Sequence, residues 1–437
     1  MIPRLGSRSG VRTAAALAVT ALGAGVLASC GSSEATTTPT LTFFAGAEPT
    51  NAEVAAQCSA ESNGRYNINI FPLPNGADNQ REQIVRRLAA SSADIDFVAL
   101  DTPYVAELAN ASWLREFTEE ERTVVLKDIL EAPILSAVWK DKLVAVPWVA
   151  NTQLLWYKKS VAKAAGVDPS AADFTWDKMI DAAVKVKKTV QEQGRRYEGY
   201  MVWINGLIES AGGSILTNND LGRDATVSMD SPEGREAARI ILKLADSPAA
   251  DPALSTANEE ATRLNFQTPS GGFMLNWPYV YAGMQAAIKA GTLTQAFLDD
   301  VGWARYPRVV TNLDSKPPLG GSNLAISKFS KNPDLSVEAI KCLISPAKEK
   351  FRMLGLGEPM ANGTIYDDPE IRAKNPMADL IKESINDAGP RPITPFYGDV
   401  SSATTREWHP ESQLEPEVTP AVTAELITDV LHDRRLL

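Results

Sequence analysis

Short apolar runs alternate with polar turns along this chain, and in its first third the period of the pattern switches between two and 3.6. Leu41-Thr-Phe-Phe44 predicts a strand that runs into a loop at Glu48-Pro49. A helix over 51–62 follows and carries Cys58. Tyr66–Phe71 alternates strictly and predicts a second strand. Asp78–Ala90 places Ile84, Val85 and Leu88 at helical spacing, and Ile95–Leu100 predicts a third strand ending at Asp101. Strand, helix, strand, helix, strand is the order of a parallel, right-handed α/β unit. Glu48, Gln80 beside Asn75, and Asp101 are then expected along one edge of its sheet. Asp101 has a second reading, as the cap of a helix beginning near Pro103.

The central apolar run is Phe273-Met-Leu-Asn-Trp-Pro-Tyr-Val280, entered through Gly271-Gly272. It predicts a buried strand that stops where Pro278 can offer no N–H to a ladder. Asn276 and Trp277 are left at the strand's carboxyl end, where open α/β sheets bind ligands. The competing reading is a core Trp beside a turn Asn. Lys142–Trp148 predicts a strand that continues through Asn151-Thr152 into extended structure over 153–158, as a crossing between two lobes would. A helical stretch is expected over 161–193, with a cap at Phe174–Asp177, and short strands at Tyr200–Trp203, Trp303–Val309 and Gly320–Ile326. Helices are expected over 230–244, entered by a capping signature, and over 336–344, which carries Cys342. In Pro390-Arg391-Pro-Ile-Thr-Pro the prolines hold one Arg in a defined direction at little entropic cost.

The first residues read differently. Arg4, Arg8 and Arg12 precede an apolar, small-residue run from Thr13 to Ala28 that is short for a membrane span. It ends in Leu27-Ala28-Ser29-Cys30-Gly31, which matches a bacterial lipobox. Residues 1–29 are expected to be a signal peptide, Cys30 the lipidated N-terminus, and 30–40 a polar tether. The exported chain keeps 54 Asp and Glu against 43 Lys and Arg less the three leader arginines, a net charge of −14. A nucleic-acid partner is not expected. Cys58 and Cys342 then remain; they allow one bridge or two separate buried thiols. The two histidines, His409 and His432, have no partner at zinc spacing. No G-x-S-x-G, Walker A or G-x-G-x-x-G pattern occurs, and no cofactor is expected.

Carboxylates at strand ends, amides, one loop Arg and loop tryptophans together suit a sugar, which offers paired hydroxyls and apolar ring faces. Several of these residues lie in an ordered series of motifs. After the lipobox come Ala99-Leu-Asp101, Asn151-Thr-Gln-Leu-Leu-Trp-Tyr157, Ala211-Gly-Gly-Ser214, Asn276-Trp-Pro278, Gly320-Gly-Ser-Asn-Leu-Ala325 and Arg391-Pro-Ile-Thr-Pro-Phe-Tyr397. The series resembles solute-binding lipoproteins of carbohydrate ABC importers, and within them the trehalose-binding lipoproteins of mycobacteria. The resemblance implies a type II periplasmic-binding fold, two α/β lobes joined by a hinge with the ligand cleft between them. One lobe is expected from 41–150 with 278–345, the other from 151–277 with 346–437. Asp101, Asn151, Asn276, Trp277 and Arg391 are implied to line the cleft, with Glu48, Gln80 and Gly321 completing the set. The resemblance also implies a Cys58–Cys342 disulfide, a monomer, two permease subunits with a cytoplasmic ATPase as partners, and trehalose as ligand. Maltose or another glucosyl sugar remains the alternative. The connection from Val280 to Trp303 is shorter than the family's, and the loop at Glu48 differs. A glycoside hydrolase using Glu48 and Asp101 is the rival from another class.

Overall fold

In the computed structural model the described residues are 38–437, so the leader, Cys30 and most of the tether lie outside them. Two large sheets form, beside two small two-stranded ones. The first holds β1 (Thr40–Gly46), β2 (Asn67–Leu73), β3 (Phe97–Asp101), β4 (Val146–Thr152) and, much later in the chain, β9 (Leu319–Ile326), in the order β2-β1-β3-β9-β4. Between β4 and β9 the chain builds the second sheet from β5 (Leu154–Lys158), β6 (Thr189–Gln191), β7 (Gly271–Asn276) and β8 (Val301–Ala304), in the order β8-β5-β7-β6. Each large sheet carries helices and defines one α/β lobe.

The first unit follows the expected alternation. β1, β2 and β3 pair in parallel, and the helices Pro49–Glu61 and Ala77–Ala89 connect them. Phe43 and Phe97 stack at 4.4 Å between ring centroids in the core. β2 is the edge strand, and its residues are mostly exposed or half-buried. β9 inserts between β3 and β4, antiparallel to both. At Gly321, φ is +120°, and an added Cβ would lie 2.0 Å from the carbonyl oxygen of Val149. A side chain there would push β9 off β4.

Three passages join the lobes. Gln153 alone separates β4 from β5, residues 305–318 return the chain from β8 to β9, and residues 387–396 lead to the helix Tyr397–Glu407, which packs on the second lobe. The pairings divide the chain differently from the expected boundaries in two places. β8 pairs antiparallel with β5, which puts 279–304 with the second sheet. The helices Pro346–Leu356 and Ala378–Asn386 pack on the first lobe's Pro49–Glu61 and β4. An apolar run such as Val301–Ala304 carries no mark of which sheet it will join.

Tyr200–Trp203, expected as a strand, lies inside the helix Glu198–Ser210, whose residues are nearly all buried. A helix buried on every side has no polar face, so its sequence lacks the 3.6 period and reads as a strand. The stretch 161–193 contains two helices, Lys159–Ala165 and Trp176–Lys185, and then β6. Thr175 caps the second of these, accepting from the Lys178 N–H at 3.2 Å.

Cys58 and Cys342 are disulfide-bonded across 284 residues of chain, joining Pro49–Glu61 to Pro333–Leu343 on the first lobe. Closing so long a loop restricts the unfolded chain more than the folded one. Reduction, or Cys58→Ser with Cys342→Ser, is expected to remove about 2–4 kcal/mol of stability. Calorimetric melting with and without reductant checks this, and unchanged melting would show that the bond holds nothing that packing does not.

Candidate functional site: the cleft between the lobes

The register of the first sheet brings several expected residues together. Ser322 pairs with Asp101, and Gly320 pairs with Asn151. Asp101 and Asn151 therefore stand at one edge of the sheet, on either side of β9. Trp277 leaves the carboxyl end of β7 in the other lobe and lays its ring against Gly320. A Cβ at Gly320 would be 2.7 Å from the Trp277 ring. The glycine lets the indole lie on backbone, so the second lobe's aromatic reaches the first lobe's edge. Trp277 and Asn151 remain half-buried. Asn151 Oδ1 accepts from the Thr152 N–H at 2.9 Å, which orients its amide.

Arg391 sits on the third passage, 4% exposed. Its Nη2 donates to Asp101 at 2.6 Å and to Thr102 Oγ1 at 3.2 Å, both at the end of β3. Its Nη1 donates to Glu198, on the second lobe. Glu198 also accepts from the Tyr397 hydroxyl and from Ser401 Oγ at 2.8 Å. Burial pushes the Glu198 carboxyl up to about 7 against the opposing pull of Arg391. Asp101 sits at the start of a short 3-10 turn but makes no capping bond, so its carboxylate serves Arg391 rather than a helix end. Tyr104 packs edge-on against Tyr397 at 5.5 Å and donates to Asp78 at 2.9 Å. A cavity of about 440 Å³ opens beside this cluster, with Asp78 and Tyr104 from the first lobe and Arg196 and Glu198 from the second.

Other expected residues are placed differently. Asn276 is wholly buried. Its Nδ2 donates to the Glu259 carbonyl at 2.9 Å and to Thr262 Oγ1 at 2.7 Å, and its Oδ1 accepts from the Trp277 N–H at 2.8 Å. The amide is spent on fastening β7 to the helix Glu259–Phe266, which corrects its expected place in the cleft lining. Gly321 contributes backbone clearance. Glu48 is exposed at the end of β1 and accepts from Asn51 Nδ2 at 2.7 Å. Gln80 donates to the Pro74 carbonyl at 3.0 Å and braces its own turn. Neither bonds to the Arg391 cluster.

The sequence reading missed Glu198 and Glu259. Glu259 opens its helix beside Asn276, and burial raises its carboxyl, with Asp101 pushing the same way from the other lobe. The available signal for Glu198 was a lone carboxylate opening the apolar run Gly199–Ile204, since a buried charge needs a partner. Among the described residues no cluster of His, Cys, Asp and Glu is arranged to hold a metal.

Two α/β lobes that meet at Trp277 on Gly320 and at Arg391, with a cavity of about 440 Å³ between residues of both, have the architecture of a protein that encloses a small solute. The chain belongs to the bacterial extracellular solute-binding proteins: that family's model matches residues 52–350, more than half of the chain. This is a family of transporter binding proteins, not of enzymes. A probable ABC transporter-binding protein of Deinococcus radiodurans is 24% identical, the match covering 77% of this chain and 79% of that one. Among solved structures, maltose-bound MalE3 of T. maritima is 25% identical with a TM-score of 0.76, over 90% of this chain and 99% of that one. A solute-binding protein of Thermotoga lettingae bound with α-D-tagatose is 21% identical with a TM-score of 0.75, over 90% and 100%.

If Asn276 is structural, its loss appears in stability. Asn276→Leu leaves the Glu259 carbonyl, the Thr262 hydroxyl and the Trp277 N–H without partners. The expected cost is about 2–4 kcal/mol, measured by chemical unfolding. A variant as stable as the parent would return Asn276 to the list of ligand-facing residues.

Proposed function

We propose that this protein captures a disaccharide outside the cell and delivers it to the permease of an ABC importer, held to the membrane by a lipid on Cys30. The observation that carries the reading is Trp277 lying on Gly320 next to Asn151, with Asp101 and Arg391 at the same edge. An indole covers the apolar face of a sugar ring, carboxylates accept from hydroxyl pairs, and a guanidinium donates in a fork. The relatives bound with maltose and with tagatose support a carbohydrate ligand. Glu259, whose carbonyl accepts from Asn276, joins the proposed set. Binding works by closure: the solute shifts the hinge equilibrium by its preference for the closed state.

Trehalose is the ligand put forward, on the motif series from Ala99 to Tyr397. Maltose is the second reading, favoured by the maltose-bound relative. Both present two glucose rings and differ in the geometry of their linkage. The glycosidase alternative has no support in the positions of Glu48 and Asp101: one bonds to Asn51, the other to Arg391.

Calorimetric titration with trehalose and with maltose decides the ligand. The expected result is binding near the micromolar range, about −8 kcal/mol, for trehalose and none for maltose. The reverse result would transfer the site to maltose, and no heat with either would remove the disaccharide claim. Trp277→Ala is expected to weaken binding by about tenfold or more through loss of the ring platform. Asp101→Asn is expected to weaken it by about ten- to a hundredfold through loss of a charge-assisted acceptor. Parent-like affinity in either folded variant would contradict the assignment. Metabolic labelling with a fatty acid, with and without Cys30→Ala, reports on the anchor.

A further inference from the structure

Arg391 lies on a passage between the lobes and bonds to both of them. On one side are Asp101 and Thr102 at the end of β3, on the other Glu198 in the helix Glu198–Ser210. Any opening of the cleft that separates β3 from that helix must break one of these contacts. Glu198 is itself held by Tyr397 and Ser401, which donate to its two oxygens from the helix Tyr397–Glu407. Arg391 is thereby aimed from the second lobe toward the first.

We propose that Glu198 is a positioning residue whose ionised carboxylate holds Arg391 between the lobes, so that lobe closure depends on external pH. The ligand-capture consequence rests on the disaccharide reading above; the closure itself does not. The groups that act on Glu198 come from every neighbouring element. Arg391 on the passage favours its charge, as do the hydroxyls of Tyr397 and Ser401. Asp101 at the end of β3 and Asp78 on Ala77–Ala89 oppose it. Tyr104 packs against Tyr397, and Arg196, on Glu198's own segment, lines the same cavity.

Burial dominates and places the titration at about 7. Above that value the carboxylate pairs with Arg391 through a charge-assisted bond. Below it the carboxyl is neutral, the ion pair with Arg391 is lost and its bond weakens, while Arg391 keeps its bond to Asp101. Closure is therefore favoured at higher pH and weakened on acidification. Fold stability moves the other way. A carboxyl raised from 4.5 to about 7 contributes stability that is complete below about 4.5 and is lost as pH rises through about 7. Acidification across this window opens the cleft while this group makes the fold more stable, which separates a clasp from partial unfolding.

The test is the distance between the lobes in the full chain from about pH 5.5 to about pH 8.5. Spin labels attached without cysteine chemistry at exposed Lys127 and Glu425 report it by pulsed spectroscopy. The parent is expected to lengthen on acidification with a midpoint at about 7, and Glu198→Gln to show no such step. Ser401→Ala removes a donor to the carboxylate and is expected to move the step to higher pH. It keeps the test decisive should the Gln variant fail to fold. A pH-independent distance in the parent, an unmoved step in Ser401→Ala, or the parent's step in Glu198→Gln would overturn the proposal. Affinity for trehalose or maltose, whichever binds, is expected to fall by up to about tenfold per pH unit below the step in the parent and not in Glu198→Gln. If neither sugar binds, the disaccharide reading fails while the distances still decide the clasp.

Discussion

The buried guanidinium of Arg391, bonded to a carboxylate on each lobe, is the contact on which the relative placement of the lobes depends. Taking a guanidinium and two carboxylates out of water costs several kcal/mol per ion, and their attraction offsets that only when the geometry is good. Such a group adds little to net stability, yet it penalises every arrangement that leaves one partner buried and alone. Asp101 ends a strand and Glu198 begins a helix, so both are held by rigid elements. Arg391 thus ties the end of that strand to the start of that helix directly. The neutral hydroxyls of Tyr397 and Ser401 complete the Glu198 end and fix which way it faces.

Around this contact the backbone sets the distances. β4 and β5 are separated by one residue, so the two sheets cannot drift apart at that point. β9 brings the chain back between β3 and β4, with glycines where it must lie closest to its neighbours. Gly320 admits the Trp277 ring and Gly321 admits the Val149 carbonyl.

The same arrangement limits affinity. Asp101 and Arg391 already bond to each other. On the proposed assignment, a solute entering the cleft exchanges this internal bond and water for its own, so only the surplus appears as binding. Recognition by exchange rewards a ligand whose hydroxyls reproduce the displaced pattern and disfavours one that leaves a buried charge unpartnered.

Local pattern was enough for the first α/β unit, because periods of two and 3.6 are written in neighbouring residues. It was also enough to end β7 at Pro278, to set Trp277 at its carboxyl end, and to single out Asp101 and Arg391 as charges in constrained loops. The lobe assignment of 279–304 was not legible, since β8 joins its sheet through pairing with β5, far earlier in the chain. Tyr200–Trp203 reads as a strand because burial on all sides of its helix erases the helical period. Asn276 was counted among ligand-facing residues on its position, but its amide is consumed by Glu259 and Thr262, which only folding brings near. The lone carboxylate of Glu198 before an apolar run signals that it needs a partner, but not which one, because Arg391 lies 193 residues away. Neighbouring residues alone set which segments could be strands and helices and which side chains carried usable chemistry. Tertiary structure decided which of those groups face the cleft and which are spent within the protein, because a polar side chain's role is set by the partner it meets, and that partner is chosen by packing.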